Sequence, residues 1–164
     1  MPGFASDALR IRRLGRGERR PVVQVFDGLS DRSRRLRFLG PKPRLRETDL
    51  ERLVDVGCCG RQAVVATDPA TAEAVGIARY VRLGADQATA EVAFEVVDAW
   101  QGRGVAGRLV EVLAVAAAED GIARLHATIA PENRAAMALM RRLGRIEWTS
   151  FVDGAYEVVV MLRN

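Results

Sequence analysis

The chain is poor in the residues that build metal centres, disulfide frameworks and base-stacking platforms. It has two cysteines and one histidine in 164 residues. The cysteines, Cys58 and Cys59, are adjacent, a spacing that rarely closes a structural bridge. Together with His126 they are too few for a four-ligand zinc site, so no metal is expected. His126 falls in an apolar stretch and reads as a packed or edge residue. Lysine is also scarce: Lys42 stands alone, and the formal charge of +4 rests on arginine. A Walker phosphate loop, which needs Gly-Lys before Ser or Thr, is therefore excluded. Aromatic residues make up 5% of the chain and do not interleave with the arginines, which form no long run. No nucleic-acid footprint is expected. No run of 18 apolar residues exists, so no membrane span is expected. The opening residues, M-P-G-F-A-S-D, lack a charged region followed by an apolar one, which predicts a cytoplasmic location.

What is present is a folding composition. Hydrophobic residues make up 49%, too many for global disorder, and the length suits one domain, 1–164. The chain is organised around Val96 to Gly107, V-V-D-A-W-Q-G-R-G-V-A-G. An apolar run precedes it. A helical pattern follows, with Val105, Leu109, Val112, Leu113 and Ala116 on one face. The glycines therefore occupy a turn between a strand and a helix N-terminus. Backbone N–H groups there have no internal partner, and the helix dipole adds partial positive charge. Gly102, Gly104 and Gly107 carry no side chain to hold an anion off the backbone, and Arg103 and Arg108 add charge. The stretch reads as a phosphate site, with the spacing Q-x-x-G-x-A from Gln101 to Ala106.

The rest of the chain reads as alternating short elements. Ala8–Leu14 is a half-buried strand; Glu18–Leu29, Ser30–Phe38 and Thr48–Val56 are helices. Gln62–Thr67, Glu73–Leu83 and Thr89–Val97 form an antiparallel meander. The glycine loop opens a helix that Gly121 ends. The strand Ile122–Ala130 then returns parallel to the third meander strand, by a right-handed crossover. A helix from Pro131 to Gly144 follows, with Ala136, Met137, Met140 and Leu143 inward. The end is a hairpin, Glu147–Val152 and Ala155–Leu162, turned at Asp153-Gly154.

The Gln101–Ala106 spacing resembles the acetyl-CoA pyrophosphate loop of the GNAT superfamily of N-acetyltransferases. Asn133 to Gly144, N-R-A-A-M-A-L-M-R-R-L-G, resembles a second segment of that family. There the Asn contacts the pantetheine arm and a Tyr lies near the acetyl sulfur; Asn133 matches, and Met140 takes the Tyr position. Three further stretches, Leu29–Leu39, Gly76–Arg82 and Ala90–Phe94 (A-E-V-A-F), resemble bacterial protein lysine acetyltransferase domains. Those domains are often fused to cyclic-nucleotide-binding or acyl-CoA-synthetase-like regions, which these 164 residues do not contain.

The resemblance implies an α+β (α/β/α) GNAT fold, a mixed sheet of about seven strands with helices on both faces. It implies acetyl-CoA as co-substrate, held by Val96, Val97, Gln101, Gly102, Arg103, Gly104, Val105, Ala106, Gly107 and Asn133. It implies acetyl transfer to an amine, foremost a protein lysine, with an acyl-CoA-synthetase-like enzyme as one candidate acceptor. A small amine, a peptide N-terminus, or a non-catalytic acyl-CoA sensor are the alternatives. Removing the proton of a lysine with pKa about 10.4 costs roughly 4 kcal/mol at about pH 7.4. A general base supplies this. Glu91 matches the family's strand Glu, with Glu95, on the same strand face, as substitute. A strand-end N–H near Val96–Val97 is the oxyanion donor. Met140 cannot donate a proton, so a water, Tyr80 or Tyr156 protonates the departing thiolate, or it leaves unassisted.

Overall fold

The computed structural model describes residues 9–163. The opening seven residues and the Ala8 end of the first predicted strand lie outside them. Thirteen short elements alternate along the described chain. Strand β1 is Arg10–Arg13, and three helices follow, α1 (Arg19–Asp27), α2 (Asp31–Phe38) and α3 (Glu47–Leu53). Strands β2 (Arg61–Thr67), β3 (Ala74–Arg82) and β4 (Thr89–Val96) come next, then a single turn of 3-10 helix, Asp98–Trp100. Helix α4 (Val105–Glu119), β5 (Arg124–Ile129), α5 (Arg134–Leu143), β6 (Gly144–Val152) and β7 (Ala155–Leu162) complete it.

The strands make one seven-stranded sheet in the order β1-β2-β3-β4-β5-β7-β6. Every pairing is antiparallel except β4 with β5. The predicted meander and the parallel return after the glycine loop are both present. The terminal hairpin inserts backwards, so β7 pairs with β5 and β6 forms the edge. Its turn has Asp153 at φ 51° and Gly154 at φ 81°, the left-handed pair of a type I′ turn.

The two sheet faces are covered differently. Gly76 and Tyr80 of β3 face α4: a Cβ at Gly76 would stand 2.9 Å from a methyl of Leu109, and the Tyr80 hydroxyl reaches the Ala116 carbonyl at 3.4 Å. Arg79 faces the other way, donating to the Leu53 carbonyl at 2.7 Å. Opposed residues of an antiparallel pair share a face, so Glu91, Ala93 and Glu95, paired with Val81, Arg79 and Ile77, lie on the α1–α3 side. Helices α4 and α5 pack together on the opposite side, α5 also against β6 and β7. The core therefore has two layers, with Val25, Ile77 and Val65 among its fully buried members and Leu109, Leu113 and Val158 among others.

Several expectations shift locally. On α4 the buried residues are Val105, Gly107, Leu109, Val110, Leu113, Ala116 and Ala117, and Val112 is 43% exposed; four of the five expected positions are kept, and Val110 and Ala117 widen the stripe where Val112 leaves it. On α5 Leu139 is buried rather than Met137. Helix α5 runs directly into β6, which begins at Gly144 instead of Glu147. A Cβ at Gly144 would lie 1.8 Å from the Met161 carbonyl oxygen, so only glycine permits the close strand approach. Its role is that approach, not helix termination alone.

Candidate active site

The parallel pairing of β4 and β5 holds for three residue pairs, ending at Glu91 opposite His126. Beyond that point the strands part, and a cleft of about 540 Å³ opens between them. Val92 to Val96 line one side and Ala127 to Ile129 the other. The glycine loop and the start of α4 also line it, and α2 lies beside the loop.

Hydrogen-bond alternation along β4 sets which backbone groups face the gap. Val97 N–H donates to the Val75 carbonyl at 2.9 Å, toward β3. In an antiparallel ladder the direction alternates, so the N–H groups of Phe94 and Val96 point toward the parted side. Val96 lines the cleft. Val97 does not: its N–H is committed to the sheet, and its side chain presses on α1, where a Cβ at Gly28 would meet Val97 Cγ1 at 2.5 Å. Of the two strand-end positions, only Val96 offers a free N–H.

The loop is built to leave its donors open. Gly102 (φ 74°) and Gly104 (φ 78°) adopt the left-handed conformation, and Gly104 caps α4 without any side-chain acceptor. The first turn of α4 contains no acidic residue. Its orphan N–H groups and dipole therefore keep their full positive potential toward the cleft. Gly102, Gly104, Val105, Ala106 and Gly107 all line it. Gln101 folds back to brace the loop: its side-chain N–H groups reach the Val96 carbonyl at 3.0 Å and Ser33 Oγ at 3.2 Å. Asp98 ties the same loop to the α1–α2 corner, its Oδ1 accepting from Ser30 N–H at 2.9 Å. Burial alone would push the Asp98 carboxyl up; hydrogen bonds from Ser30 and Ser33 and the nearby Arg32 outweigh it and hold the group low.

Asn133 sits across the cleft and lines it. Its Oδ1 accepts from Ala136 N–H at 3.1 Å, capping α5. The charges of the cleft differ from the expected pair. Arg103 stacks over the Trp100 ring, 4.7 Å from its centroid, and Arg108 donates to the Leu9 carbonyl at 3.3 Å; neither lines the cleft. Arg32, Arg37, Arg134 and Arg142 do, against Glu95 and Glu132. A Cβ at Gly107 would meet Arg142 Nη1 at 3.4 Å, which places that guanidinium at the α4 N-terminus. The last turn of α5 carried the signal, a basic pair Arg141-Arg142 beyond Asn133, but a helix periodicity does not say which residue crosses to a neighbouring helix.

The two candidate carboxylates occupy different surroundings. Glu95 lines the cleft and is ion-paired with Arg37, its side chain 7% exposed against 14% for Arg37. Arg79 stands 4.0 Å from its other oxygen, 8% exposed. Burial pushes the Arg79 guanidinium down to about 10, opposed by Glu95. Glu91 is exposed, lies outside the cleft lining and joins no ion pair among the described residues. Met140 is fully buried in the core and borders no part of the cleft. Tyr80 cannot replace it. Its hydroxyl is bonded to Asp120 at the far end of α4, and burial, with Asp120 adding to it, raises its proton affinity far above the usual tyrosine range. Tyr156 packs edge-on against Phe151, ring centroids 5.1 Å apart, outside the cleft lining. Among the described residues, no group of three or more metal-ligating side chains occurs, and no helix is long and apolar enough to cross a membrane.

Known proteins share this fold. The family described as acetyltransferase (GNAT) domain matches residues 9–145. A curated relative, acetyltransferase Pat of Mycolicibacterium smegmatis, is 37% identical over 97 residues, 59% of this chain and 29% of that protein. The crystal structure of the GNAT domain of S. lividans PAT superposes with a TM-score of 0.84 at 33% identity, over 94% of this chain and 90% of that one. A cAMP-binding acyltransferase from Mycobacterium smegmatis gives a TM-score of 0.65 at 28% identity, over 95% of this chain and 44% of that one. The chain thus spans under a third of the curated relative and under half of the cAMP-binding one.

Proposed function

The chain belongs to the GNAT acetyltransferase family, and we propose that it transfers the acetyl group of acetyl-CoA to a lysine side chain on a protein, with Glu91 as general base. The cleft fits acetyl-CoA by its own chemistry. The uncapped start of α4, with Gly102, Gly104 and Arg142, meets the pyrophosphate; Asn133 reaches the pantetheine arm across the gap; the thioester then lies between β4 and β5. Phe94 and Val96 N–H groups, facing that gap, hold the oxyanion as it develops.

The observation that carries the acceptor reading is the open sheet face beside the gap. There Glu91, unpaired and exposed, stands where a cationic side chain approaches from outside. An exposed carboxylate outside the cleft lining acts through a water rather than by direct contact. Glu95 is bound to Arg37 and faces Arg79, which makes it an anchor for α2 rather than a free proton acceptor. The likeness to the S. lividans PAT domain and to the Pat relative supports a protein lysine over a small amine. With no tyrosine hydroxyl in the cleft, water protonates the thiolate.

The test is thiol release from acetyl-CoA with three acceptors in parallel: an acyl-CoA-synthetase-type protein, a lysine peptide with a blocked N-terminus, and a panel of small amines. Release with the first two supports the proposal. Release with small amines alone overturns the protein acceptor, and tight binding of acetyl-CoA without release to any acceptor makes the domain a sensor.

A further inference from the structure

The sheet is covered unevenly on the α1–α3 side. Helix α1 packs on β3 and α2 on β4, while α5 packs on β6 and β7 from the opposite face. Among the described residues no helix packs over β5, β7 and β6 on the α1–α3 side. The strand register shows what this bare surface carries. Val81 pairs with Glu91, Glu91 with His126, His126 with Val159, and Val159 with Trp148. Register partners point to one face, so these side chains form a single row across β3, β4, β5, β7 and β6. At about 4.8 Å between neighbouring strands the row spans roughly 19 Å, wide enough for a protein surface and far wider than a small amine.

We propose that this row is the surface on which a folded protein acceptor docks, with Trp148 and Val81 as its apolar contacts on either side of Glu91. The inference deepens the lysine-acceptor reading above and rests on it. Exposure is the first support. Trp148 is 51% exposed and Val81 38% exposed, at the two ends of the row, with Val159 half-buried between them. A tryptophan left open on an uncovered sheet face is the residue type that most often carries the binding energy of a protein interface. Continuity with the cleft is the second. Glu91 and His126 form the last register pair before the strands part, and Thr128, one step further along the same face of β5, lines the cleft. A lysine reaching into the gap therefore brings the surface around it onto the row.

Charge defines the partner. His126 and Glu157 are bonded to each other. Arg124 is paired with Glu147 at 2.6 Å, and Arg145 lies 3.7 Å from the same glutamate. Arg61, beside Val81 on β2, is paired with Asp55 at 2.8 Å. Of these charged groups and Glu91, only Glu91 joins no ion pair among the described residues. The face thus offers one uncompensated negative charge between two apolar ends. Its complement is one cation in an apolar surround, a target lysine flanked by aliphatic or aromatic side chains of a folded protein. A short peptide supplies the lysine but cannot reach both ends of the row in a fixed shape, so it gains little from Trp148.

The test compares wild type, Trp148→Ala, Trp148→Phe and Val81→Ser on two acceptors, an acyl-CoA-synthetase-type protein and a short blocked lysine peptide, with kcat and KM measured separately. Trp148→Ala should raise KM for the protein about tenfold or more, leave kcat nearly unchanged, and leave both constants for the peptide and the affinity for acetyl-CoA as in wild type. Val81→Ser should do the same several-fold, and Trp148→Phe should recover most of the loss. An unchanged KM for the protein in Trp148→Ala overturns the proposal. So does an equal loss on protein and peptide, which marks a packing role in the sheet, and so does a wild type that uses the peptide better than the protein. Light scattering tests the rival occupant: a dimer at micromolar concentration that Trp148→Ala dissociates assigns the row to a second copy of the chain and overturns the acceptor. A wild type that releases thiol with small amines alone fails the lysine reading, and the docking surface with it; that failure shows before any variant is made, whereas failure of the surface alone shows only in the variants.

Discussion

Exchanging Glu95 for glutamine separates the roles of the two strand glutamates. The Glu95 carboxylate is 7% exposed and lies between Arg37 and Arg79, themselves 14% and 8% exposed. Glutamine keeps the volume and one acceptor oxygen but removes the charge, leaving two guanidinium groups facing each other below the cleft. Breaking a buried ion pair from one side costs about 3–5 kcal/mol, and the retained amide oxygen sets Glu95→Gln near the lower bound, about 3. For a chain of this size each kcal/mol moves the thermal midpoint roughly 2–4 °C, so a fall of about 6–12 °C is expected. Glu91→Gln, at an exposed position, should move stability by less than about 0.5 kcal/mol while lowering kcat on a lysine peptide about 10²-fold or more. Thermal unfolding by circular dichroism and thiol release on the same preparations read both. Should Glu95→Gln unfold within about 1 kcal/mol of wild type and lose turnover, while Glu91→Gln keeps it, the assignment of anchor and base is reversed and the argument from ion pairing fails.

Other perturbations test the frame of the site. Gly104→Ala meets no neighbour within 4 Å but must hold φ 78°, so it should cost about 1–2 kcal/mol of stability and weaken acetyl-CoA binding in calorimetry by distorting the α4 entry. Asp98→Ala frees Ser30 N–H from the loop; about 1 kcal/mol is lost, and acetyl-CoA affinity falls several-fold with little change in kcat. Gly144→Ala drives a Cβ into the Met161 carbonyl and should cost about 3 kcal/mol or more, read as loss of soluble yield or a lowered urea midpoint. Acid sensitivity follows from carboxyls held below their ordinary value. At Glu18 the causes are Arg12 first, then the Gly15 N–H; at Asp86 they are the Thr89 hydroxyl and the Ala88 N–H. The unfolded chain takes up those protons first, so stability present above about pH 4.5 should fall as pH drops further, measured by urea midpoints at pH 3 to 6.

The sequence carried the frame of this site because its signals are local. The glycine turn, the apolar face of α4 and the Asp153-Gly154 hairpin each follow from neighbouring residues. The open donors at Gly102 and Gly104 follow from the same few positions. What was not legible depends on which elements meet. Arg142 and Arg134 enter the cleft from α5, while Arg103 and Arg108, nearer in sequence, are occupied by Trp100 and Leu9. Val97 loses its N–H to β3, a fact set by ladder parity. The backward insertion of the last hairpin places Glu157 beside His126, which alone in sequence reads as packing. The glycines also show that a pattern needs its sheet. Gly102, Gly104 and Gly107 satisfy the G-x-G-x-x-G spacing of dinucleotide loops. What sets that reading aside is the antiparallel β3 beside β4, where a dinucleotide fold has an open parallel sheet.

The early end of the β4–β5 pairing has a mechanical consequence. Three register pairs join a four-stranded half, β1 to β4, to a three-stranded half, β5 to β7. Parallel pairs are the weaker kind, so this seam is where the sheet opens most readily. A ligand lying in the gap, touching Val96 on one half and Asn133 beyond the other, acts as a splint across it. Acetyl-CoA should therefore slow amide hydrogen exchange not only at the residues it touches but along both flanking strands, and raise the cooperativity of unfolding. On the proposed function, rigidity is completed by the bound ligand.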